Sequence, residues 1–389
     1  MIIHSSLWAE DWSSWLGPKG DNTTSSQGDF QAKLDEWAVA WTAQAGRGYS
    51  AITTFGNRVY TNGHDENAKE TILCLDLTSG KLLWEHSFDA DLIARAHGGG
   101  PNASIIIEEG QLYAISKDGQ IRCLEPKTGE LIWHRDLKNV LDVQVPTWGF
   151  GASPVIWGEQ LIVSAGKVAA LDKSNGERVW INENERRASY GTPVPFRKGN
   201  ETFIAAMDGM GFALLKPGGE EILHKGMVTK NNVVSNTPLV FGEGDHIFVH
   251  TNAFSEVLRF DGQNIHLVWN DRKLQNSQSA SVLVDGVLYG LNGLPENNRT
   301  KLYARDPTTG DIYWSFPNFG FGSLIAVDDT LLILSEDGEL VTARADPSSF
   351  HEISRRRVLE PTCWTKPIYA QGRILVRNDA GQIVCLVQD

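Results

Sequence analysis

The chain has 389 residues, 41% of them hydrophobic and 21% charged, the make-up of a folded chain and not of a disordered one. A formal net charge of −13 argues against nucleic acid as the main partner, because phosphate binding needs a basic face. No apolar run approaches the roughly 18 residues needed to cross a bilayer as a helix, so the chain is read as not membrane-spanning.

Residues 1–36 read as an N-terminal extension. Met1 to Ala9 has no basic start and too short an apolar run for a signal peptide. Read as the remnant of one, it would be cleaved after Ala9. Residues 10–36 are polar, with Gly17-Pro18, Asp21-Asn22 and the run Thr23 to Ser26. They are expected to run over the surface, pinned by Trp12 and Trp15.

From residue 37 to 389 the chain reads as short strands. Trp37 to Trp41 is the first. Ser50 to Phe55 and Arg58 to Asn62 make a hairpin about Gly56-Asn57, and Thr71 to Leu75 leads into a phrase that ends on Trp84. The cycle then returns about Glu109-Gly110, Gly158 and Asp285-Gly286, and again over Leu324 to Ser335 and Pro367 to Arg377. Each unit is four strands, with no helical pattern between units.

One phrase marks the units. A small residue is followed by an acid two positions on, a glycine six on and a tryptophan ten on. The copies are Cys74, Asp76, Gly80, Trp84; Cys123, Glu125, Gly129, Trp133; Ala170, Asp172, Gly176, Trp180; and Ala304, Asp306, Gly310, Trp314. The glycine supplies the positive φ of a tight hairpin. The acid is expected to bond the turn that follows it. The tryptophan is expected to stack on the neighbouring unit over the Ala or Cys slot, where each ring would bury on the order of 200 Å². Trp41 and Trp269 fit the same slot, Leu223 takes it in one unit, and Ile353 lies near it in another. The last unit has three strands before the chain stops, and Trp41 supplies an orphan fourth. Joining them gives eight complete units in a closed ring, an all-β, eight-bladed propeller of four-stranded blades. Cys74, Cys123 and Cys385 share the small-residue slot and Cys363 stands alone, so the thiols read as buried side chains too far apart to pair.

This phrase resembles the tryptophan-docking motif of quinoprotein-type, PQQ-like propeller repeats, and the resemblance covers residues 37–389. It points to three kinds of protein. PQQ-dependent alcohol and sugar dehydrogenases carry adjacent cysteines and a Glu, Asn and Asp set for calcium; neither pattern maps onto this chain. BamB-like propellers are non-enzymatic. A third group, secreted bacterial propellers, is mostly uncharacterised, and the start Asp11-Trp12, Trp15, Gly17-Pro18 makes this chain most similar to it overall. The resemblance implies a periplasmic or secreted scaffold that offers its loop faces to a protein partner or extracellular ligand. It is expected to act as a monomer, without a cofactor. The alternatives are a PQQ- and calcium-dependent dehydrogenase with a reduced site, and a polysaccharide-binding propeller.

Loops leading into the innermost strands line one mouth of a propeller channel. On that ground Tyr49, His97, Asn102, Trp148, Tyr190, Asn236, Gln278 and Trp364 are the candidate ligand-binding residues. Trp148 resembles a ring-stacking position of the quinoproteins. Trp41, Trp84, Trp133, Trp180, Trp269 and Trp314 are read as structural. No residue is read as catalytic or metal-binding.

Overall fold

Alternating strands with glycine turns give antiparallel meanders, because a hairpin needs left-handed backbone that glycine adopts without a Cβ clash. In the computed structural model, which describes residues 10–95, 97–184, 186–230, 234–272, 274, 280–293 and 300–388, the strands form eight sheets. Blades 1 to 8 begin with innermost strands at residues 53, 106, 155, 194, 239, 282, 322 and 368. The two-residue turns predicted at Glu109-Gly110 and Asp285-Gly286 have both central residues at positive φ. Blade 8 is completed by Trp37–Gln44 alongside Gln382–Gln388, so an N-terminal strand closes the ring.

The phrase works through two neighbours at once. Within a blade the small residue and the tryptophan face each other across the two outer strands, as in Cys74 with Trp84 and Cys123 with Trp133, and a bulge follows the pair. Between blades the ring meets the turn glycine of the next blade, and not the small-residue slot expected from the sequence. A Cβ on Gly80, Gly129 or Gly176 would stand 2.5, 2.6 or 2.6 Å from the rings of Trp41, Trp84 and Trp133. The glycine is therefore needed twice, for its positive φ and for its bare face. The indole Nε1–H of Trp41, Trp84, Trp133, Trp269 and Trp314 donates to the carbonyls of Leu77, Pro126, Lys173, Pro307 and Asp346, at 2.7–3.1 Å. Trp180 stacks on Gly219 but donates to Gln160 Oε1. The acids serve the turn as expected: Asp76 Oδ1 accepts from the Thr78 and Ser79 amides. The four cysteines are buried and unpaired.

Two blades lack the tryptophan. In blade 4 Leu223 faces Leu214 at the slot. In blade 7 the slot falls on Ser354, which faces Thr342 ahead of the bulge, so Ile353 is one residue out. The N-terminal segment fills this gap. Ser354 Oγ accepts from the Leu34 amide, Leu34 is fully buried, and Phe30 and Trp37 meet Tyr369 edge-on at 5.1 and 6.4 Å. In blades 1, 2 and 6 the second-strand tyrosines Tyr60, Tyr113 and Tyr289 meet docking tryptophans at 5.9–6.1 Å; blade 8 has Leu375 at that position, and Tyr369 lies on its innermost strand.

Two further features depart from the sequence reading. A five-residue helix, Leu137–Leu141, follows blade 2 and is capped by Asp136, whose side chain accepts from the Lys138 amide. Residues 11–26 enter the axial channel and do not run over the surface. Trp12 is fully buried and bonds Thr54 of blade 1. Trp15 reaches Thr237 beside blade 5, and Thr23–Thr24 pairs in parallel with the innermost strand of blade 7.

Candidate functional site

The loops that lead into the innermost strands gather at one mouth of the channel, because each blade turns its first strand to the axis. The predicted residues fall there into two groups. Tyr49 stacks on Trp364 at 5.5 Å and 27°, His97 meets Tyr49 edge-on at 5.1 Å, and Phe321 meets Trp364 edge-on at 6.3 Å. Tyr49 Oη accepts from the Gly98 amide, and Trp364 Nε1–H donates to Glu336. In the second group Trp148 and Tyr190 meet edge-on at 5.9 Å, and the Trp148 amide donates to Tyr190 Oη. Asn102 lies beside Tyr190 over Gly151, with its Oδ1 buried and without a hydrogen-bond partner. Asn236 is buried and its amide turns to the His250 carbonyl. Gln278 lies outside the described residues.

Buried ionisable groups lie beside the first group. Lys117 is fully buried and its Nζ has no hydrogen-bond partner. Burial brings its amine down to about 7, against the pull of Glu70. Burial pushes the Glu70 carboxyl up to about 8, although Asn62 and the Lys117 amide bond it. His97 is brought down to about 4, first by burial and then by Lys117. It is therefore neutral at pH 7, a hydrogen-bonding ring and not a cation. Its NMR titration midpoint is expected near pH 4. Because the folded value lies below the ordinary His value of about 6.5, the unfolded chain binds the proton first. Stability should then fall as pH drops from about 6.5 to about 4, and His97→Gln should flatten that part of the profile. A midpoint near 6.5 would contradict the burial.

Sequence reasoning missed the pocket beside the second group. A cavity of 540 Å³ is lined by the loop Asp142 to Trp148, by Ala165 and Lys167 of blade 3, and by Arg186, Arg187, Ala188 and Tyr190. The helix Leu137–Leu141 sets the start of that loop, burying Leu137 and Leu141. Lys167 is buried and donates to the Asp142 carbonyl at 3.3 Å. Arg186 forms a two-pronged bond to Glu221 at 2.5 and 2.7 Å, which holds its guanidinium charged. Arg187 is exposed. The pocket thus sets three cations and the Asp142 carboxylate, 3.7 Å from Lys167 Nζ, beside two aromatic rings, within a molecule of net charge −13. The helix N-cap was the one signal in the sequence, since Asp136 with Leu137 and Leu141 is a capped apolar pair.

The mouth does not match a quinone and calcium site. The four cysteines stand in separate places and are not adjacent. Trp148 and Tyr190 meet edge to face, and among the described residues no three acidic, His or Cys side chains are placed to hold one ion.

Comparison with known proteins places the chain. The family model described as outer membrane protein assembly factor BamB matches residues 32–164 and 164–318. The chain belongs to the BamB family. Among curated BamB proteins, that of Bordetella pertussis is 28% identical over 147 residues, covering 36% of this chain and 32% of that protein. That of Pseudomonas aeruginosa is 22% identical, covering 47% of each. The chain thus spans about a third and about half the length of these two relatives. That of Shewanella oneidensis is 20% identical over 89% of this chain and 87% of its own length. Among solved structures, BamB from Moraxella catarrhalis superposes with a TM-score of 0.66 at 13% identity, over 90% of this chain and 99% of that one. A europium-containing methanol dehydrogenase superposes with a TM-score of 0.73 at 10% identity, over 98% of each. At such identities the likeness is one of fold alone. The ring is common to BamB and to a dehydrogenase, so the fold by itself assigns no chemistry. Among the described residues of this BamB-family chain no helix is long and apolar enough to cross a membrane.

Proposed function

We propose that this propeller is a non-enzymatic, protein-binding scaffold in outer-membrane protein assembly. It works in the periplasm as a monomer and offers the mouth of its channel to a partner protein. The observation that carries this reading is the pocket between blades 3 and 4. Buried Lys167 and exposed Arg187 stand beside Trp148 and Tyr190 there. Aromatic and arginine side chains are the usual anchors of protein interfaces. A cationic pocket on an acidic molecule also orients an incoming chain, since it attracts an acidic segment that the rest of the surface repels. The partner segment is therefore one that carries an acidic side chain next to an apolar or aromatic one. Site-specific photo-crosslinking in cells tests this. A crosslinker at position 187 is expected to capture a component of the outer-membrane protein assembly machinery, and one at exposed Glu201 on blade 4 is not. Capture of no such component from position 187, or equal capture from both, would refute it.

A further inference from the structure

Each blade turns the free edge of its innermost strand to the axis, where its unpaired N–H groups need acceptors. Residues 11–26 supply them. The carbonyls of Trp12, Ser13, Asn22 and Thr24 accept from the amides of Thr54, Ile107, Ala326 and Asp328, at 3.0 Å each. These amides belong to or flank the inner strands of blades 1, 2 and 7. The side chains add specific contacts. Lys366, buried before blade 8, donates to the Trp15 carbonyl and Asn22 Oδ1, and its Nζ lies 3.8 Å over the Trp15 ring and 5.5 Å from the Trp12 ring. Gly17 lies against the Trp12 ring, where a Cβ would come within 2.7 Å. Both ends of the segment are tied at the turn side of the channel. Asp11 accepts from the Gly56 amide and Gln371, and Asp328 accepts from Ser25 and Ser26. Backbone pairing with an exposed edge plus side-chain anchors is a general mode of peptide recognition.

We propose that the axial channel is a peptide-binding site, and that residues 11–26 are its resident ligand. The ligand class is a looped segment, turned over residues 14–22 and paired with inner strands on either side of the turn, with two tryptophans and a side-chain amide for Lys366. The segment closes the turn side of the channel, and the same site accepts a second copy of the segment supplied in trans.

Residues 27–29 are exposed, so a protease site can be placed there in the full chain. After cleavage the N-terminal fragment should stay bound through gel filtration. A labelled synthetic peptide of residues 10–28 should then exchange into the channel saturably. A peptide with Trp12→Ala and Trp15→Ala should compete at least tenfold less well. Loss of the fold on cleavage, a label that never enters, or equal competition by the two peptides would overturn the proposal, since the segment would then be ordinary core. Hydrogen exchange on the uncut chain gives a second reading. The amides of Thr54, Ile107, Ala326 and Asp328 should exchange together and faster than that of Val163 in blade 3. Exchange of all five at one rate, as in global unfolding, would contradict a separable ligand.

Discussion

Trp133→Ala should lower the free energy of unfolding by about 3–5 kcal/mol, the usual range for removing a buried large aromatic side chain. Trp133 is 7% exposed. Its ring lies against Gly176 of blade 3, and its Nε1–H meets the Lys173 carbonyl at 3.1 Å. That carbonyl also accepts from Tyr113 at 2.9 Å, so it keeps one partner when the indole is lost. The cavity should therefore dominate the loss over the unmade hydrogen bond. Trp314→Ala should cost less, because Trp314 is only half-buried and the residues after Asp346 put no glycine beneath its ring. Denaturant titration of the two variants checks the order. Equal losses would mean that the stacking on glycine contributes little.

Gly129→Val should be nearly as damaging, at roughly 2–5 kcal/mol, from two separate causes. Gly129 has φ of +74°, a conformation that costs an L-residue about 1–2 kcal/mol. Its Cβ would also stand 2.6 Å from Trp84, which forces the indole off its seat at an overpacking cost of about 1–3 kcal/mol. Gly110→Val makes the control. Gly110 has φ of +79° but nothing within 4 Å of a Cβ, so it should show the backbone cost alone. If the two variants lose the same stability, the contact with the ring does not hold neighbouring blades together.

The ring was legible because its parts repeat. Five of the six docking tryptophans, all but Trp314, sit on a turn glycine of the next blade, and that demand imprints fixed spacings on the chain. Where the physical demand is met by other means, the spacing vanishes. Blade 7 puts Ser354 in the slot because Phe30, Leu34 and Trp37 bring apolar bulk from the N-terminus. The channel segment was illegible for a related reason. Its glycines, serines and threonines look like those of a surface loop, and Lys366 lies 351 residues from its acceptor Trp15. Half of the candidate site could be read from aromatic residues in the lead-in loops, which gave Tyr49 with Trp364 and Trp148 with Tyr190. The cations of the pocket could not. Lys167 sits in a turn of blade 3, and Arg186 and Arg187 in the loop that follows it, with nothing in their spacing to show that they meet Trp148.

The proposed function puts a protein partner at the mouth near Trp148. The most direct measurement is calorimetric titration of the purified chain with the assembly component captured from position 187. Trp148→Ala combined with Arg187→Glu should weaken binding at least tenfold, about 1.4 kcal/mol or more, with the melting temperature held within a degree or two. Unchanged affinity in that variant would contradict binding at this mouth and move the partner to another face of the ring.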